Sequence, residues 1–185
     1  GDPNSDSFNV PNIGAVDAGA RAKISRRIDL RQQLDRLKAT ADHLNQMDSI
    51  DTFEQQAFNV MTGREATRAF DIRQEDDATR ERYGRNRWGQ QLLLARRLVE
   101  SGVDLVTAQF SGDLCGGVGN WDDHAVNANC FEAIKYRLQF MDKAVAALIE
   151  DIYDRGLDQR VLIVVTGEFG RTPRISYKKS TGHDR

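Results

Sequence analysis

The chain has 185 residues, of which 39% are apolar and 29% charged, and a formal net charge of -2. That length supports one domain with a real core and is short for two, and the composition is that of an ordered globular protein rather than a disordered one. Interspersed, nearly balanced charge gives no electrostatic basis for a nucleic-acid partner, and no apolar run reaches the roughly 18 to 20 residues of a membrane-spanning helix.

The start at Gly1 rather than Met, the loop-like Asp2-Pro3-Asn4-Ser5 and the stop at Gly182-His183-Asp184-Arg185 read as cut ends, so any targeting signal is expected upstream. The first half then reads as helical. Leu30, Leu34, Leu37, Ala41 and Leu44 follow the four-three spacing of one helical face within Ile24 to Leu44. A second helix is expected from Asp48 or Ser49, either able to cap it, through Phe53, Ala57 and Val60 to Gly63. Gly63 to Phe70 reads as another short helix, and the charged stretch Arg73 to Arg87 as a solvated surface.

From residue 86 the pattern changes. Trp88, Leu92, Ala95 and Val99 form a helical stripe ending at Gly102, a residue suited to the position after a helix C-cap. Val103 to Phe110 reads as a strand, followed by a loop containing Gly112, Gly116, Gly117 and Gly119. Phe131, Ile134, Leu138, Met141, Val145, Leu148 and Ile152 give the cleanest helical period, closed by Gly156. Val161 to Val165 is a continuous apolar run, as expected of a strand buried on both faces of a sheet. Alternating helices and strands of this kind are the grammar of a parallel α/β sheet. The expected fold is therefore α/β, a mainly parallel sheet flanked by helices, with a helical segment over about residues 20–100 and an α/β segment over about 86–185.

Binding sites in such sheets lie beyond the carboxyl ends of the strands, and two polar clusters stand just there. In Trp121-Asp122-Asp123-His124, Asp122 and His124 offer a carboxylate and an imidazole, a ligand mix suited to a first-row divalent ion, with Asp123 as a further ligand or an orienting partner. A surface turn or helix cap accounts for the same residues. In Gly167-Glu168-Phe169-Gly170-Arg171-Thr172-Pro173, a carboxylate directly after a buried strand is costly unless paired, hydrogen-bonded or metal-bound. Arg171 suits either a pair with Glu168 or a fork for a phosphate or sulfate oxyanion.

Of the three histidines, His43 reads as a polar residue near a helix end, while His124 and His183, the latter beside Asp184, are the candidate ligands. Cys115 and Cys130 flank the Trp121 segment and stand equally well as a disulfide or as two thiols; neither begins the Cys-x-Pro/Ala-x-Arg pattern of sulfatases.

Several runs in order carry a family resemblance. Tyr83-Gly84-Arg85-Asn86-Arg87-Trp88-Gly89-Gln90, Leu94 to Val103, the Trp-Asp-x-His and Gly-Glu-Phe-Gly-Arg-Thr-Pro elements, Leu148 to Asp151, Arg155-Gly156-Leu157 and, upstream, Phe70-Asp71-Ile72 with Glu75 resemble the DUF1501 family over nearly the whole chain. The resemblance implies the C-terminal portion of a single domain, similar to alkaline phosphatases, sulfatases and cofactor-independent phosphoglycerate mutases. It further implies divalent metal ions (Zn, Ca or Mn) held by Asp122, His124, Glu168, His183 and Asp184, with Arg171 in a catalytic role.

Two departures stand out. Phe169 occupies the place of the superfamily's usual His, and Gly182-His183-Asp184-Arg185 exchanges the His and Arg of the family's Gly-Arg-Asp-His. The implied function is hydrolysis of phosphate or sulfate esters, the nucleophile and a twin-arginine export signal being expected upstream of Gly1. The alternative is an exported, non-catalytic binding or scaffold protein that retains the fold.

Overall fold

In the computed structural model the described residues are 1–10, 19, 22–30, 64–114, 117–118, 121, 130–167, 170 and 173–174. The chain divides into two compact units, one formed by Gly1 and Asn9–Asp71 and the other by Asp2–Phe8 and Ile72–Arg185.

In the first unit residues 22–30 form a helix, α1, and Arg64–Phe70 form α2. The short helix expected before Phe70 is therefore present, and the start of the Ile24 to Leu44 helix is helical, with Leu30 58% exposed. The remainder of that helix, and the one expected between Asp48 and Gly63, lie outside the described residues.

The second unit is built on helices. A single 3-10 turn at Ile72–Gln74 leads into α3 (Asp77–Tyr83), α4 (Arg87–Glu100), a short hairpin of β1 (Asp113–Leu114) and β2 (Gly117–Val118), and the long α5 (Cys130–Asp154). Local chemistry sets the boundaries. The Asp76 carboxylate accepts from the Thr79 amide at the start of α3, and Asn86 Oδ1 accepts from the Trp88 and Gly89 amides at the start of α4. α4 and α5 end in the same way, with Gly102 and Gly156 at positive φ directly after the C-cap. The Val103 amide donates to the Leu98 carbonyl and the Leu157 amide to the Ile152 carbonyl, the six-to-one bond of a Schellman motif. Gly102 thus takes the expected position after the C-cap and Gly156 closes α5 in the same way, while Gly63 lies outside the described residues.

The core is the seam between α3, α4 and α5, where Tyr83, Leu92, Leu93, Ala144, Ala147, Leu148 and Ile152 pack together. Gly89 makes this seam tight: a Cβ there would lie 2.1 Å from the Tyr83 carbonyl oxygen. Gln90, fully buried beside it, donates from Nε2 to the carbonyls of Arg80 and Gly84 and accepts from Arg80 Nε, so the end of α3 is satisfied by a side chain of α4. No described helix is long and apolar enough to cross a membrane.

Three expectations are corrected here. The mainly parallel sheet is not formed: among the described residues, strand pairing is confined to the antiparallel pair Asp113 opposite Val118 and Leu114 opposite Gly117. Residues 103–110 and 161–167 are neither helix nor ladder. Both alternate as a strand would, Ala108, Phe110, Val161 and Ile163 packing on the helical core while their neighbours point away. Leu162 is 86% exposed and Val164 71%, so the run Val161 to Val165 is covered on one side only, not both.

The second correction concerns α5, whose buried residues include Leu148 and Ile152 from the expected stripe but also Arg137, Ala144, Ala147 and Asp151. Phe131 and Leu138 are exposed. The third concerns Arg73 to Arg87: it holds a turn and a helix rather than a solvated surface alone, and Glu75, Tyr83 and Asn86 within it are withdrawn from water.

The polar half of the core explains the last two. Arg96, with its side chain 1% exposed, lies 2.8 Å from Glu75, 2.6 Å from Glu100 and 3.0 Å from Asp151. The Tyr83 hydroxyl donates to Asp151 Oδ2 at 2.8 Å and Arg155 Nε to Asp151 Oδ1 at 2.8 Å, while Arg97 closes on Glu75. Each charge thus has a partner of opposite sign, which is the condition for tolerating burial. The outer pairs of Arg82 with Glu150 and Asp154 are solvent-exposed and contribute far less.

Burial alone would raise the Glu75 and Asp151 carboxyls. Hydrogen bonds and charge from Arg96 and Arg97 at Glu75, and from Arg155, Tyr83 and Arg96 at Asp151, outweigh it and hold both below their ordinary range. Burial, together with Asp151, pushes the Tyr83 hydroxyl up, so it stays a donor. Depressed carboxyls contribute stability that is fully present above the unfolded carboxylate value and is lost as pH falls through the folded one. The unfolding free energy is therefore expected to hold level from neutral pH down to about pH 5 and to fall steadily below about pH 4. Urea unfolding as a function of pH checks this, and a Glu75→Gln, Asp151→Asn double variant should show a shallower acid slope.

Candidate functional site

The residues around Trp121, which directly precedes Asp122 in sequence, form a polar and aromatic cluster. Trp88, buried on the first turn of α4, donates from Nε1 to the Ser111 carbonyl at 3.2 Å and meets Phe110 edge-on at 5.2 Å. Trp121 stacks on Trp88, with ring centroids 5.6 Å apart and planes 17° from parallel. Its Nε1 donates to the Phe110 carbonyl at 2.6 Å, which ties it to the end of the 103–110 segment. From α5, the Arg137 guanidinium lies over the Trp121 ring at 5.2 Å, a cation–π contact, with Arg137 only 3% exposed. One residue earlier, the Tyr136 hydroxyl donates to the carbonyl of the fully buried Leu114 in β1, and its ring meets Phe140 edge-on.

The helices therefore hold Phe110, Ser111, Leu114 and Trp121 through aromatic faces and backbone carbonyls. Four elements contribute: the start of α4, the end of the 103–110 segment, the hairpin and the second turn of α5.

The predicted ligands themselves, Asp122, His124, Glu168, His183 and Asp184, lie outside the described residues, as does the predicted catalytic Arg171. Their neighbours Trp121, Gly167, Gly170, Pro173 and Arg174 are described, and the last four are exposed. Among the described residues no group of three or more His, Cys, Asp or Glu side chains is arranged to hold a metal ion. The desolvation case for Glu168 is weakened by its approach, since Val165, Thr166 and Gly167 are exposed rather than buried. Cys130 is a free thiol at the start of α5, and Cys115 lies outside the described residues.

Arg137, Tyr136 and Trp88 were not singled out as site residues by sequence reasoning. Trp88 was visible as part of the α4 stripe. Arg137 sits inside an apolar helical period, where a charged residue reads as facing water, and nothing in the sequence alone marks it as buried against an indole.

A family model described as "Protein of unknown function (DUF1501)" matches residues 2–185. No curated protein and no solved structure matches the chain.

Proposed function

The chain belongs to the DUF1501 family, and from that premise we propose that it is an exported, metal-dependent hydrolase of phosphate or sulfate esters, of the alkaline phosphatase and sulfatase kind. The observation that carries the reading is the anchoring of Trp121: the side chain directly before Asp122 is fixed to the Phe110 carbonyl at the end of a segment resting on the helical core. The segment before Glu168 rests on the same core through Val161 and Ile163.

The donor chemistry suits the assignment. Three carboxylates, of Asp122, Glu168 and Asp184, and two imidazoles, of His124 and His183, favour Zn²⁺ or Mn²⁺ over Ca²⁺, which prefers oxygen alone. When bound, such ions supply positive charge that stabilises the entering and leaving oxygens of an ester displacement. Arg171 provides a planar fork for the equatorial oxygens of the phosphoryl or sulfuryl group, where charge builds in the transition state.

The test is metal content and turnover of the full-length protein. It is expected to carry stoichiometric Zn²⁺ or Mn²⁺ and to hydrolyse 4-nitrophenyl phosphate or sulfate. Asp122→Ala and His124→Ala should each lose the metal and lower kcat/KM by about 100-fold or more. Full-length protein that purifies metal-free and takes up none on soaking in these ions sinks the proposal.

Phe169 and the rearranged Gly182-His183-Asp184-Arg185 favour a second reading, a binding or scaffold protein that keeps the fold without the chemistry. Stoichiometric metal with no turnover, restored by neither ester class, would select it.

A further inference from the structure

We propose that the outward face of α5 between Phe131 and Ala146 is a self-association surface, on which a second copy of this chain packs its own α5 antiparallel about a two-fold axis at Leu138. The inference is independent of the hydrolase reading and starts from a mismatch between pattern and burial. Phe131, Ile134, Leu138 and Met141 open the clearest apolar helical period in the chain, and such a period marks a face that leaves water. The core takes other residues of the helix, among them Arg137, Ala144, Ala147 and Asp151. Phe131 stays 54% exposed and Leu138 45%, with Ile134 and Met141 only half-buried beside them. An exposed apolar face of this kind is the mark of an interaction site.

The charges on this face say what covers it. Phe131, Lys135, Leu138, Asp142 and Ala146 are all exposed and follow one another at steps of four, three, four and four residues, which sets them on one side of the helix. Laid antiparallel on its own copy, with Leu138 against the partner's Leu138, the face is complementary to itself. Lys135 comes opposite the partner's Asp142, and Asp142 opposite the partner's Lys135. Phe131 comes opposite the partner's Ala146, a large side chain over a small one. Within one chain Lys135 and Asp142 stand seven residues apart, about 10 Å along the axis, too far to pair with each other. A two-fold axis makes each contact twice, so a single register supplies two charge pairs on either side of an apolar centre. A parallel pairing would set Lys135 against the partner's Lys135.

The overlap from Phe131 to Ala146 is about 22 Å long. One helix pair of that length lies at the small end of specific interfaces, and the dimer is expected to dissociate in the range of about 1 to 100 µM.

Sedimentation equilibrium of the whole chain across that range is expected to show a mass rising from 20.8 kDa toward twice that value. Leu138→Glu, which sets a carboxylate against its symmetry mate, should weaken dimerisation by about 10-fold or more. Lys135→Glu and Asp142→Lys should each do the same, because each turns both charge pairs repulsive. All three positions are exposed, so far-ultraviolet helicity should be unchanged. An equimolar mixture of Lys135→Glu and Asp142→Lys separates this surface from any other. In the mixed dimer both pairs are attractive again, so the mixture should associate within about threefold of the parent although neither variant does so alone. A parent that stays monomeric throughout the range overturns the proposal, as does a dimer indifferent to Leu138→Glu or a mixture no tighter than its components.

Discussion

Replacing Arg96 with Met is expected to destabilise the second unit by about 3–5 kcal/mol, the cost of removing one member of a buried ionic cluster. The side chain is 1% exposed and reaches Glu75 and Asp151, whose side chains are 12% and 7% exposed, so its loss leaves two buried carboxylates short of their central cation. Arg97 and Arg155 remain on those carboxylates, which places the expected cost toward the lower end. Urea unfolding measures it, and a double-mutant cycle with Asp151→Asn isolates the pair. A coupling of a few kcal/mol is expected. A loss below about 1 kcal/mol would put Arg96 among ordinary surface ion pairs and refute the assignment of a buried electrostatic core. The effect should also shrink in acid, because Arg96 lowers the Glu75 and Asp151 carboxyls against the opposing effect of burial, and protonation removes what it compensates.

Gly89→Ala is the second large effect, and its sign is informative. In an unconstrained helix Ala is favoured over Gly by about 1 kcal/mol. Here the added Cβ would meet the Tyr83 carbonyl oxygen at 2.1 Å and the Gly84 carbonyl oxygen at 2.5 Å, both backbone atoms at the end of α3. Neither can turn aside as a side chain could. Relief requires α3 and α4 to separate, which disturbs the Gln90 bonds to the Arg80 and Gly84 carbonyls and the packing of Tyr83. The expected loss is about 3 kcal/mol or more, at the upper end of overpacking. Thermal unfolding of the purified variant, or its soluble yield, checks it. A variant as stable as the parent would mean that the two helices do not approach this closely.

The two variants also separate the two ways this unit is held. Arg96 links Glu75, Glu100 and Asp151 through charge, and its loss should depend on pH. The Gly89 contact is steric, and its effect should not.

Much of the second unit was legible in the sequence wherever neighbours within about five residues decide the outcome. Gly102 and Gly156 end α4 and α5 because each must take a positive φ after the last helical turn. The Leu148–Ile152 side of α5 followed from spacing in the same way. The candidate ligands were legible only as residue types and as a family pattern, since the mutual placement of His124 and Glu168 lies outside the described residues.

Tertiary structure alone decided which charged side chains are buried and which apolar ones are not. Arg96 finds Glu75 across 21 residues, and Tyr83 finds Asp151 across 68. Hydrophobic periodicity carries no record of such partners, so Arg137 and Asp151 displaced the expected α5 stripe while Phe131 and Leu138 turned outward. The same limit misled the reading of Val161 to Val165. An apolar run announces a tendency to leave water, but coverage of both faces requires other chain segments to arrive there, and among the described residues only the helical side is packed. Helix ends are local conformational energies, written in consecutive residues; burial is a relation between distant ones, and it exists only once the chain has folded.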